Sequence, residues 1–76
     1  MSSEVKNFIF DVYSLMESYF NKIELIVQYK KDEMLSFSFI NEHGDTNSIF
    51  FSTNRIKEEN TFELLGKIKD KLDELI

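Results

Sequence analysis

Cysteine and proline are both absent from the 76 residues, and glycine occurs only twice. Without cysteine the chain has neither a disulfide nor a thiolate metal ligand. That fits a reducing compartment, and a cytoplasmic location is the expectation. Gly44 and Gly66 stand alone, so no glycine-rich loop can cradle a phosphate with its backbone amides. No apolar run approaches the roughly 18–20 residues that a membrane-spanning helix needs. The opening MSSEVKNFIF carries Glu4 early and has no basic region ahead of an apolar one, so it does not read as a secretory signal. No membrane association is expected.

Basic residues are scarce as well. Nine lysines and arginines face fourteen acids, a net charge of −5. Binding to a phosphate backbone rests on Lys and Arg neutralising phosphates, so nucleic acid is not an expected partner. The length sets a single domain, residues 1–76, whose core is marginal by itself and would gain from dimerisation or a partner.

What is present is periodicity. Val5, Phe8, Ile9, Val12, Leu15, Met16, Tyr19 and Phe20 recur at spacings of three and four, which predicts an amphipathic helix over 3–20. Ser2 or Ser3 can cap its start, and Glu4 suits the positive end of the helix dipole. Phe10 falls off the stripe. From residue 22 the period drops to two. Ile23, Leu25, Val27 and Tyr29 share one face of a strand over 22–30, with Glu24, Ile26, Gln28 and Lys30 opposite. Lys31-Asp32-Glu33 forms a tight polar turn. Leu35, Phe37 and Phe39 then face inward, with Ser36, Ser38 and Ile40 outward. Residues 41–47 turn the chain, Gly44 taking the positive φ. Ile49 and Phe51 return to the inside; Ser48, Phe50 and Ser52 face out. Residues 54–59 read as a loop or separate turn, because Ile56 is out of phase with Leu65 of the last apolar stripe. Asn60-Thr61-Phe62-Glu63 resembles a capping box and opens a last helix, with Phe62, Leu65, Ile68, Leu72, Leu75 and Ile76 as its stripe.

The fold class is therefore α+β, in the order α-β-β-β-α: a three-stranded antiparallel meander with two helices packed on one face. In element order and length this resembles the double-stranded RNA-binding domain. That family grips phosphates with lysines at the start of its last helix. The resemblance would place that function on EENTFELL, residues 58–65, which contains no base. RNA binding thus ranks last among the binding roles, since fold does not carry function.

A search for chemistry gives little. His43 is the only histidine, and Glu42, His43 and Asp45 are the one conceivable metal set: a single imidazole and two carboxylates in a turn. Asp32-Glu33 and Glu58-Glu59 read as solvated loop acids. No catalytic, cofactor-binding or metal-binding residue is assigned, and the chain is read as a non-enzyme. Candidate partner-binding residues are the outward Phe50, Ile26 and Ile40, the off-stripe Phe10, and the acids Glu4, Asp11, Glu42 and Asp45, where the excess negative charge lies. Aromatic residues are favoured at interface cores. The leading reading is a small acidic protein-binding module that occludes a partner, as phage anti-defence (anti-CRISPR-like) inhibitors and bacterial immunity proteins or antitoxins do. The alternative is a structural homodimer or small subunit of a complex.

Overall fold

The computed structural model describes residues 2–19 and 22–76. It has helix α1 (Ser3–Met16), strands β1 (Glu24–Lys30), β2 (Met34–Ile40) and β3 (Thr46–Ser52), a short helix α2 (Thr53–Glu58) and helix α3 (Thr61–Asp73). The strands form one antiparallel sheet in the order β1-β2-β3, with β2 in the centre. The α+β class, the meander and the packing of helices on the sheet follow the sequence reading. The position of Phe20 in the first stripe lies outside the described residues.

Alternation sets the sheet register. Leu25 pairs with Phe39, Val27 with Phe37 and Tyr29 with Leu35, while Phe37 pairs onward with Ile49 and Leu35 with Phe51. Directly opposed residues share a face, so these positions form the side that the helices cover. Val5, Phe8 and Val12 of α1 bury against it, and the rings of Phe8, Phe37 and Phe51 meet edge to face, with centroids 5.6–6.1 Å apart. Arg55 of α2 lies 5.2 Å over the Phe51 ring and closes that corner of the core.

Side-chain caps mark the helix starts: the hydroxyl of Ser2 accepts from the Val5 amide, that of Ser52 from the Arg55 amide, and the Asn60 carboxamide from the amides of Phe62 and Glu63. The 41–45 loop turns at Gly44, whose φ is +84°. The β1–β2 turn is less ordinary: Asp32 and Glu33 both adopt positive φ, at 61° and 56°, with no glycine. Left-handed backbone costs an L-residue about 1–2 kcal/mol, and aspartate tolerates it better than glutamate does. Tight hairpins favour that hand because it matches the right-handed strand twist.

Three details of the helices depart from or sharpen the sequence reading. The first helix ends at Met16, short of the expected 3–20 span, with residues 17 and 18 in a turn. Of the two readings for residues 54–59, a loop or a separate turn, the structure has the second in the form of a six-residue helix that Ser52 caps, with Ile56 buried. In α3 the buried line is Leu64, Ile68 and Leu72, whereas Phe62 is 83% exposed. Phe62 lies two residues from Leu64, about 200° around the helix, so only one of them can face the sheet. Once α2 spans the end of β3 and turns the chain, Leu64 takes that place.

Candidate functional site

Among the described residues, no helix covers the outer face of the sheet. Its rows run across the strands as Glu24–Ile40–Thr46, Ile26–Ser38–Ser48, Gln28–Ser36–Phe50 and Lys30–Met34–Ser52. Small serines fill the middle, and the Ser38 and Ser48 hydroxyls hydrogen-bond to each other at 2.9 Å. Ser36 faces this side yet is buried, flanked by Gln28 on one strand and Phe50 on the other. Phe50 on β3 and Ile26 on β1 remain 51% and 43% exposed, on opposite sides of the serine row, and Ile40 is half-buried. The fold thus brings three candidate residues, Phe50, Ile26 and Ile40, onto one low surface.

The other candidates do not join them. Phe8 faces the inner side, and Phe10, two residues on, points about 200° away from it, to the far side of the helical layer. It is 68% exposed there. Phe10 and Phe50 therefore lie on opposite faces of a two-layer molecule. The acids are also dispersed. Glu4 sits in the first turn of α1, at the end of the molecule where Ser2, Val5, Tyr29, Glu33 and Lys57 line a common cleft. Glu42 belongs to the opposite end, beside Lys22, His43, Leu75 and Ile76. Asp11 is exposed along α1 between them, and Asp45 is exposed in the 41–45 loop. These four acids do not share one surface.

That loop has an organiser the sequence reading overlooked. The Asn41 carboxamide oxygen accepts from the amides of His43 and Asp45, both at 2.9 Å, and its nitrogen donates to Asp45 and to the Leu75 carbonyl. Asn47, on the inner face of β3, donates likewise to the Lys71 carbonyl and the Glu74 carboxylate. Both asparagines satisfy carbonyls at the end of α3 and pin it to the second hairpin. An asparagine in a turn carries no sequence signal for a bond spanning 34 residues. Among the described residues no three His, Cys, Asp or Glu side chains converge as metal ligands, Glu42, His43 and Asp45 included.

At the same end, the Tyr19 hydroxyl donates to Asp73, and Lys69 makes an ion pair with that carboxylate; both contacts are 2.9 Å. Burial, with the bond to Asp73 second, pushes the Tyr19 phenol above its usual range. Hydrogen bonds from Lys69 and from Tyr19 hold the Asp73 carboxyl below its usual range. Beside this cluster a groove of about 270 Å³ is lined by Tyr13, Met16, Tyr19, Ile23 and Leu25, where the end of α1 overhangs β1.

The sequence reading also missed the exposure along this margin. Tyr29, on the inner face of β1, is 56% exposed and Tyr13 is 48% exposed. Tyr29 has the right parity for the core but lies beyond the cover of the helices. Among the described residues no helix is long and apolar enough to cross a membrane. No family model matches the chain, and no significant match is found among curated proteins or solved structures.

Proposed function

We propose that this domain is a protein-binding module that acts by covering its partner with the outer face of its sheet, without chemistry of its own. The observation that carries this reading is the contrast on that face: Phe50 and Ile26 stand half exposed over a bed of serines on the side away from the helices. A ring rising from a low polar surface suits an anchor entering a pocket, and buried aromatic anchors supply much of the affinity of protein interfaces. The partner is a protein with an apolar pocket; Glu24 and Lys30 leave the face itself without net charge. Occlusion by a small acidic domain is the working principle of phage anti-defence inhibitors, immunity proteins and antitoxins, and this role fits among them.

The test starts from a pull-down in the native host, identified by mass spectrometry, followed by direct titration of the purified partner. Phe50→Asp is expected to abolish that binding, and Phe10→Asp, on the opposite side of the molecule, to leave it intact. A partner that binds the Phe50 variant as tightly as the wild type refutes the assignment of this face.

A further inference from the structure

We infer that the chain forms a two-fold dimer in which β1 pairs antiparallel with β1 of a second copy, with Val27 opposite Val27. The inference concerns the edge of the sheet, so it stands apart from the partner-binding role of the face.

β1 is an edge strand, and its free side presents a row of backbone N–H and C=O groups that no strand among the described residues meets. Natural edges are commonly blunted by proline, a bulge or a central charge. β1 has none of these: its pairing with β2 is unbroken, and Leu25 to Tyr29 is uncharged. Of the three strands it alone has no buried residue. The opposite edge, β3, differs. Its inner face packs on α3, Asn47 is bonded to the end of that helix, and Phe51 is buried.

Charge selects the occupant. In a self-pairing centred on Val27, Glu24 of each copy lies opposite Lys30 of the other, so two ion pairs close the ends of the ladder. Both side chains are exposed, and neither makes an ion pair within the chain among the described residues. The same register sets Leu25 against Tyr29 and Ile26 against Gln28, and so covers apolar surface on both faces of the strand. Neighbouring registers are disfavoured. A slip of two residues either way breaks both ion pairs, setting Glu24 against Gln28 in one direction and Lys30 against Ile26 in the other. A partner strand of unrelated sequence has no reason to satisfy both ends, whereas a second copy does so by symmetry. The product is one six-stranded sheet with the helices on one side and two Phe50 residues on the other.

Sedimentation equilibrium at low salt, from about 10 μM to 1 mM, tests this. The wild type is expected to dimerise within that range. Glu24→Lys reduces the magnitude of the net charge, from −5 to −3, which by itself favours association; the dimer demands the reverse, a dissociation constant raised roughly tenfold by the Lys–Lys contacts. Lys30→Glu is expected to weaken self-association as well. An equimolar mixture of the two single variants should recover a heterodimer, and the double swap should recover the homodimer. Circular dichroism checks that each variant keeps its fold. Phe50→Asp should dimerise as the wild type does, which separates this inference from the fate of the face. A wild type that stays monomeric to 1 mM, a Glu24→Lys variant that dimerises normally, or single variants that fail to pair when mixed would each overturn it.

Discussion

Strand β2 shows both faces of the sheet within seven residues. Leu35, Phe37 and Phe39 are sealed from solvent, whereas on the other side Met34, Ser38 and Ile40 are only half-buried and the small Ser36 alone is buried. The alternation of large and small side chains is the same mechanism on both sides, and the outcome differs because α1, α2 and α3 all lie on one of them. The phenylalanines of this sheet are buried or exposed as parity places them under the helices or away from them. Phe51 and Phe50 are neighbours in sequence; one is 1% exposed, the other 51%.

The sharpest way to break this contrast is to truncate a ring on each side. Phe39→Ala leaves a cavity beneath the helices and should cost about 3–5 kcal/mol. That is comparable with the whole stability of a domain of this size, roughly 0.05–0.15 kcal/mol per residue, so the variant should be largely unfolded in thermal and urea melts. Phe50→Ser should change stability by no more than about 1 kcal/mol, the scale of a cross-strand contact. Similar losses from the two would mean that the faces are not distinct.

A second pair carries the comparison into α3. Leu64→Ala should cost about 2–5 kcal/mol as a buried truncation. Phe62→Ala should stay within about 0.5 kcal/mol, as surface changes do. Equal effects in urea melts would place the helix in the phase that its Phe62–Leu65–Ile68 spacing suggests, against the buried line of Leu64, Ile68 and Leu72.

The smallest effect belongs to the exposed end of the helical layer, through pH. The Asp73 carboxyl titrates below its usual range, held there by Lys69 and Tyr19. Its contribution is present above the ordinary carboxylate range and is lost as pH falls through that lowered value. The Tyr19 phenol titrates above its usual range, so its contribution is complete below the ordinary phenol range and is lost as pH rises through the raised value. Asp73→Asn should therefore flatten the acid limb of the melting-temperature profile, and Tyr19→Phe the alkaline limb. Unchanged limbs would show that the cluster contributes nothing measurable, as many exposed pairs do.

The candidate surface was partly legible in the sequence. Period-two alternation assigned Phe50, Ile26 and Ile40 to the outer face, because in a strand parity decides the side. Phe10 reads as off the buried stripe of a helix on the inner face, which already points it away from the outer face; the sequence did not say how far each helix reaches over the sheet. Tyr29 and Phe62 show that limit. Each has the spacing of a core residue, and each is exposed because cover depends on the reach of a neighbouring element.

By itself the sequence determined the three strands, their pairing, the turn at Gly44, the cap at Asn60 and, as one of two neighbouring serines, the cap of the first helix. These depend on neighbours a few residues apart: alternation, a positive φ, a side chain bonding the next turn. Tertiary structure alone decided the phase of α3, the helix after β3, the asparagine clamps on the end of α3 and the bare margin along β1. Each depends on contacts between segments far apart in the chain, whose geometry exists only once the helices have settled on one face of the sheet.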